Sequence, residues 1–436
     1  MSNKKFREMR NARVNRPQRD QVEMQLFALD QMLPQDHRAR IVWQYVHSLD
    51  LSPLYEPFKN GQSEVGRNAI APEILLSLWI MASIDSISSA REIARRCTTD
   101  IVYLWICGGV SVNYHTLSDF RSNNAEFFEA LLVDTITSMM QQGFVTLETI
   151  AQDGMRVRAN AGGSSFRREP KLRDLHKQAA EYVKKLLEDS DDDDSRGGQA
   201  SARQAAARQR AAVEQEQRIR ESLEQVQQLR DQKEKRKKGE GKKARCSTTD
   251  PDARNMKMGD GGWRPAYNFQ FVTDGESRMI VRVDVTNSGS DRGKMGPMHD
   301  HVRETYGKIP EHQLVDSAFA TQDDVTQLEK AGTKVVSTIH GASSMIKRGT
   351  DPHARQRRDS DEFAAFRERM ADPEYQAIYK QRPSIAEFPN AEYRNRGCRL
   401  LRVRGIAKVK SVALLYATTF NLMRMLNLNA FPIAFA

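Results

Sequence analysis

Val145-Thr-Leu-Glu-Thr-Ile-Ala-Gln-Asp153-Gly-Met-Arg156-Val-Arg158 is where the chain changes its period. Up to this point apolar residues recur at helical spacing. Here Val145, Leu147, Thr149 and Ile150 lead into an acid followed by glycine, which reads as a β-strand ending at, or running past, a carboxylate. The next clear strand signals come only after residue 250. A strand followed by a long helical interruption and then more strands sets the architecture to be expected.

The interruption, residues 165–250, is the sharpest shift in composition. Leu172, Leu175, Ala179, Val183 and Leu186 mark one amphipathic helix, broken by Asp189–Asp194 and Gly197-Gly198. Val213, Ile219, Leu223, Val226 and Leu229 mark a second, from about residue 201 to 238, which runs into the basic stretch Lys233–Lys243. The pattern predicts a charged helical hairpin with a thin apolar seam, inserted into another domain. The basic run is a solvated segment or a contact to DNA phosphates.

Beyond it, Ala266–Val272 alternates, Asp274-Gly275 signals a turn and Met279–Val285 follows as a strand, so a hairpin is expected. Met295–Tyr306 reads as a helix, His312–Asp316 as a short buried strand ending in a carboxylate, Gln322–Lys330 as a helix and Lys334–Ile339 as a strand. Phe363–Arg382 and Val409–Leu426 read as helices. A hairpin followed by alternating strands and helices predicts an α/β chain with a mixed sheet flanked by helices. That order suits a ribonuclease-H-like fold interrupted after its first strand, over residues 146–164 and 251–436, with 165–250 as the insertion.

Toward the N-terminus, residues 21–145 read as an all-helical domain and residues 1–20 as a basic flexible arm. Asp36 is a candidate cap for a helix bearing Ile41, Val42, Tyr45, Val46 and Leu49. Pro72 opens Glu73–Ser83. Ser88 or Ser89 caps Ala90–Arg96, and Thr99 or Asp100 starts a helix through Trp105 that stops at Gly108-Gly109. Thr116 or Ser118 starts another, from Leu117 through Met140. The short helices about Ser86–Ser89 suggest a helix-turn-helix unit, in which Arg91, Arg95 and Arg96 either contact DNA or form a solvated face. Trp43, Trp79 and Trp105 read as core, and Trp263, in Gly-Gly-Trp-Arg, as an exposed ring.

The chain has 436 residues, enough for two or three domains. Hydrophobic residues make up 39%, which allows a real core, and the net charge of +10 points to a polyanion as the first candidate partner. The four cysteines, Cys97, Cys107, Cys246 and Cys398, form no C-x-x-C pair, which argues against a structural zinc site and a disulfide framework. The first residues carry no apolar core region, and the apolar stretches Ile74–Ile84 and Val412–Leu428 are too short or too interrupted to span a bilayer. A soluble cytoplasmic protein is expected.

Asp153 and Asp316 both stand at strand ends, where a sheet can present them side by side although they are 316 − 153 = 163 residues apart. Phosphodiester cleavage by two metal ions needs such convergent carboxylates. Mg²⁺ favours a few carboxylates together with water and phosphate oxygens. A third acid is expected from a later helix, and Glu387 and Glu392 are the candidates.

Several blocks, in order, resemble the insertion-sequence DDE transposases that have an N-terminal helical (InsH-like) domain and an interrupted catalytic domain. They are Ile70–Ile84 with Ser88–Arg96 and His115–Arg121, then Ala151–Ala161 around Asp153, then Thr249–Arg254 with Pro265–Gln270, then Leu314–Phe319 around Asp316. The last comprises Tyr379-Lys-Gln-Arg382, Ala386-Glu387 and Arg394-Asn-Arg-Gly397. The family's third block, a tyrosine, an arginine, the glutamate and a later basic residue, selects Glu387 over Glu392. Four residues separate Arg382 from Glu387, one more than is commonest in the broader group, and Pro383 and Pro389 flank the glutamate.

The resemblance implies a DNA transposase of bacterial cytoplasm, associated with the nucleoid. Asp153, Asp316 and Glu387 would be catalytic ligands to two Mg²⁺ ions, with Mn²⁺ as a substitute. Arg382 and Arg394 would contact DNA phosphates, and Tyr379 would support the site. The partners implied are double-stranded DNA, as terminal inverted repeats and as target, and a second copy of the chain on paired ends. The prolines keep a second reading open, a catalytically impaired remnant acting as a sequence-specific DNA-binding repressor. A third is a nuclease that cuts without joining.

Overall fold

The computed structural model describes residues 28–59, 68–192, 199–396 and 400–430. The basic arm at residues 1–20, Gly197-Gly198 and Cys398 lie outside the described residues. Among the described residues there are eight strands: β1 (Thr149–Arg158), β2 (Phe166–Arg167), β3 (Cys246–Ser247), β4 (Arg254–Lys257), β5 (Trp263–Asp274), β6 (Ile280–Thr286), β7 (His312–Leu314) and β8 (Lys334–Val336). β2 and β3 pair as a small ribbon at the base of the insertion. The others form one mixed sheet. β5 pairs antiparallel with β1 on one side, and on the other with β4 along Trp263–Ala266 and with β6 along Asn268–Thr273. β1 pairs parallel with β7, and β7 with β8. The resulting order, β6-β5-β1-β7-β8 with the last three strands parallel, is the ribonuclease-H-like arrangement expected, and the insertion enters after β1 as predicted.

Strand β5 is buried almost from end to end, although its sequence alternates. Tyr267, Phe269 and Phe271 face a hydrophobic core. Phe269 packs edge-on to Tyr393 and Phe271 lies against Tyr416 of the closing helix, Ile406–Asn427. Asn268 and Gln270, on the opposite face, are buried too, and they survive there by hydrogen bonding. Both amides donate to Asp291 Oδ1, at 2.7 and 2.9 Å. Gln152 donates to Gln270 at 3.0 Å, Gln313 donates to Gln152 at 3.1 Å, and Arg156 reaches Asp291 Oδ2 at 3.3 Å. The ladder runs across β7, β1 and β5 behind Asp153.

The helices of the N-terminal region share a continuous core with this sheet. The closing helix lies between them. Asn421 binds both backbone groups of Ile280, at 2.8 Å each, and so occupies the outer edge of β6. Glu129, in the helix Ala125–Gln141, pairs with Arg282 of β6 and Lys410 of the closing helix. Trp79 is buried and donates to the Leu117 carbonyl at 2.9 Å, whereas Trp43 and Trp105 are only partly buried against the core. No helix among the described residues is long and apolar enough to cross a membrane.

Several boundaries differ from the sequence reading. His37, not Asp36, caps the helix Arg38–His47, through its ring nitrogen. Leu117–Met140 is two helices, Tyr114–Asn123 and Ala125–Gln141. Asn113 caps the first, and Asn124 interrupts the run without any glycine or proline to announce the break. Phe363–Arg382 is likewise divided, with Pro373 opening the second helix. The inserted hairpin consists of Glu169–Asp192 and Gln199–Arg236, with a small seam at Leu172, Val226, Ala244 and Cys246.

Gly154 has no room for a side chain. A Cβ there would lie 2.5 Å from Asp291 Oδ1 and 2.6 Å from Gln270 Nε2. Gly154→Ala should therefore break the polar ladder and lower stability by roughly 1–3 kcal/mol in denaturant unfolding. Gly259→Ala, at a position with nothing within 4 Å, should stay within about 0.5 kcal/mol of the parent. Equal midpoints for the two variants would remove the ladder's claimed structural role.

Candidate active site

The parallel register of β1 and β7 pairs Ala151 with Leu314. Two residues further along each strand stand Asp153 and Asp316, so the same register carries the two carboxylates out side by side. Asp316 lies just past the end of β7, in a turn where its Oδ1 accepts the Ala318 N–H at 2.6 Å. It is close enough to Asp153 for the like charge to disfavour ionisation of that residue.

The third block approaches from the helix that follows Tyr379. Arg382 is buried and extends its guanidinium between two acids, 3.2 Å from Asp153 Oδ1 and 3.1 Å from Glu387 Oε1. Residues Pro383–Glu387 form a π-helical turn leading into the α-helix Phe388–Asn395. A π-turn is an α-helix that has absorbed one extra residue. It takes up the additional residue between Arg382 and Glu387, so both side chains still meet on the face turned to β1. It also accommodates the prolines. Pro383 stands at the first position of the wide turn, and Pro389 stands in the first turn of the α-helix that follows, where a proline lacks no helical partner.

Asn390, one helical turn beyond Glu387, is a site residue that the sequence reading missed. Its amide donates to Asp153 Oδ2 at 2.8 Å, it is fully buried, and its own Oδ1 has no partner. Its only sequence signal was the three-residue spacing from Glu387. Glu392, the other candidate acid, pairs with Arg396 at 3.2 Å, and Arg396 reaches the Ile84 carbonyl of the helical region. It is thus turned away from Asp153.

Tyr379 is half-buried against the core around β7 and β8. Arg394 is exposed in a groove lined by Gly154 to Arg158. Arg91, Arg95 and Arg96 stand on the helix Ala90–Thr99, capped by Ser89, and none of them contacts Asp153, Asp316 or Glu387. A turn with Ser86 in the left-handed region precedes this helix. Arg95 and Arg96 pair with Glu92, and Arg91 lies over the Tyr114 ring at 4.3 Å.

Burial pushes the Asp153 carboxyl up to about 6, against the pull of Arg382 and the hydrogen bonds from Gly154 and Asn390. The oxygen donors present suit a hard divalent cation: the Asp153–Asp316 pair, and the unpartnered Asn390 Oδ1. Among the described residues no three His, Cys, Asp or Glu side chains converge closely enough to hold an ion as they stand. Glu387 is joined to Asp153 through the Arg382 guanidinium, which pairs with both.

The Thr249–Arg254 block has no part in this site. Asp250 accepts the Tyr267 hydroxyl at 2.7 Å, and Asp252 accepts the Ile406 N–H at 2.9 Å, capping the closing helix from outside. Asp252 also receives Gln225 of the insertion at 3.3 Å. The block is a junction that locks the insertion and the closing helix to the sheet.

Comparison with known families gives two matches. Residues 27–123 match a family described as a transposase domain (DUF772), and residues 236–424 match the transposase DDE domain. Asp316 and Glu387 fall inside the second stretch. Asp153 and the first inserted helix fall between the two. No curated protein and no solved structure matches the chain.

The raised Asp153 value has a signed consequence for stability. The folded chain holds the proton up to about pH 6, and the unfolded chain releases it near 3.8. Ionising Asp153 therefore costs folding free energy as pH rises through that window, up to about 3 kcal/mol. Asp153→Asn should melt higher than the parent at pH 7.5, and the gap should close as pH falls toward 4. A melting difference independent of pH would contradict the burial argument.

Proposed function

Because the chain belongs to the DDE transposases of insertion sequences, we propose that it cuts the ends of its element by metal-assisted phosphodiester hydrolysis and joins the freed 3′-hydroxyl to target DNA. The observation that carries this reading is the in-register placement of Asp153 and Asp316, with Glu387 tied to Asp153 through Arg382. Asp153, Asp316 and Glu387 would hold two divalent ions, Mg²⁺ or Mn²⁺, which when bound stabilise the charge on attacking and leaving oxygens.

The rest of the work falls to the protein. Asn390 orients the Asp153 carboxylate. Arg382 releases the two acids to engage a phosphate, for which a guanidinium is an equally good partner. Arg394 holds the strand in the groove beside β1, and Tyr379 braces the helix that carries Arg382. Arg91, Arg95 and Arg96 follow a tight turn on an exposed helix, a placement that suits them to the terminal repeats. Two copies would act together, one on each end.

The prolines beside Glu387 motivated the alternative of an impaired remnant that binds DNA as a repressor. Their accommodation in a continuous helix supports an intact site instead.

The test uses the purified chain, Mg²⁺ and duplex fragments carrying the inverted repeats that flank its gene. Cleaved and joined products are expected from the parent chain. Asp153→Asn, Asp316→Asn and Glu387→Gln should fall to background while still retarding end DNA in gels. Asn390→Ala, which removes a supporting hydrogen bond and no ligand charge, should lose roughly 10- to 100-fold in rate. Binding without cutting would favour the repressor, and cutting without joining a simple nuclease. Normal cleavage by Asp153→Asn would refute the site assignment.

A further inference from the structure

Two features of the chain have no part in the site as described: the exposed Trp263 and the basic run at the end of the inserted hairpin. The fold brings them together. Trp263 opens β5 beside the turn of the β4–β5 hairpin, pairs across to Lys257, and is 70% exposed. Its ring borders a shallow recess also lined by Lys257, Arg156 and Arg236, the last residue of the inserted helix. No carboxylate lines that recess.

On the other side of Arg156, a second groove continues along β1 past Arg158, Arg264 and Arg394 to Gly154, the neighbour of Asp153. Its single acid, Asp260, is paired with Arg264 at 2.7 Å. Asp291, beneath, takes part of the charge of Arg156. Arg158, Arg236, Lys257 and Arg394 have no carboxylate partner among the described residues. Four uncompensated cations along one track, ending at a bare indole, form a surface that lacks its counter-charge.

We propose that this track binds an unpaired DNA strand leading away from the scissile bond, with its phosphates on Arg158, Arg394, Lys257 and Arg236 and a base stacked on Trp263. This rests on the function proposed above and adds the path of one strand to it. The exposed indole presents a flat apolar face beside these cations, and every base offers a π-face to stack on it. A paired base has both faces covered by its neighbours in the duplex, so the ring selects a strand that is melted or single. The hairpin gives the ring a firm mount, since Met258 N–H bonds to the Gly262 carbonyl at 2.8 Å and Asp260 holds both Gly262 and Arg264. Trp263 lies 271 − 263 = 8 residues along β5 from Phe271, the partner of Asp153. At about 3.3 Å per residue that is ~26 Å from the carboxylates, so the ring meets a nucleotide well removed from the bond being cut.

The test is fluorescence anisotropy with a short dye-labelled oligothymidylate and, separately, a duplex of the same length, on the full chain. Trp263→Ala should weaken oligothymidylate binding roughly 5- to 100-fold and leave the duplex nearly unchanged, while Trp263→Phe keeps most of the affinity. The double variant Lys257→Ala/Arg236→Ala should flatten the salt dependence of log K for the single strand by about 1.4 per decade of salt. Parental binding of oligothymidylate by Trp263→Ala would overturn the proposal, and so would an equal loss on duplex and single strand. Asp153→Asn should hold oligothymidylate as the parent does. Loss of end cleavage in that variant reports on the proposed function alone, so the two readings can fail separately.

Discussion

A carboxylate held in a sheet and covered by helices must keep its proton or find a cation. Asp153 stands under this constraint, and the surrounding structure is arranged around it. Its strand pairs with β5 at Asp153 itself and with β7 just before it, and the side chain is largely buried. Asn390 donates one hydrogen bond and Gly154 another, and among the described residues the Arg382 guanidinium supplies the positive charge directly on its oxygens. These do not cancel the cost of burial, because the carboxyl remains raised to about 6. The site thus carries an uncompensated electrostatic debt, the kind of strain expected where a protein is built to receive a charged ligand rather than to be as stable as it can be.

The same constraint explains the unusual helix geometry. For Arg382 to reach Asp153 and Glu387 at once, both must project from one face although five positions separate them. In a regular α-helix a separation of five turns the two side chains well apart, since 3.6 residues complete a turn. The π-turn at Pro383–Glu387 restores the alignment. Of the two prolines that look destructive in sequence, Pro383 opens the π-turn and Pro389 falls in the first turn of the α-helix after it, positions where a helix tolerates proline best.

Much of the fold was legible because its elements differ in period. The helix Gln322–Lys330 and the helix Met295–Tyr306 agree residue for residue with the sequence reading, and the paired strands around Asp274-Gly275 agree to within a few residues. Boundaries failed where an unmarked residue interrupted a run, as at Asn124, or where an uncommon cap was used, as at His37. The polar ladder behind Asp153 was not legible. Alternation along β5 suggests a wet face, and only tertiary structure shows Asn268 and Gln270 buried and satisfied by Asp291. Within the site, Asp316 was readable as the acid just past a short buried strand, whereas Asp153, expected at a strand end, lies in the middle of β1, with the strand running on to Arg158. Asn390 was not readable, since an asparagine within a helix carries no local signature of the carboxylate it will meet.

The insertion's place in the fold follows from the junction at Thr249–Arg254. Gln225 from the inserted helix, Ile406 from the closing helix and Tyr267 from β5 all converge on Asp250 and Asp252. A hairpin with so small a seam of its own could not hold a fixed direction by packing alone. Tied at this point, its second helix is directed so that Arg236 arrives beside Lys257 and Trp263 at the open end of the sheet. The cationic end of the insertion is therefore aligned with the same strand, β1, that presents Asp153. The sheet serves both as the scaffold for the acids and as the ruler that sets how far from them the remaining positive charge is held.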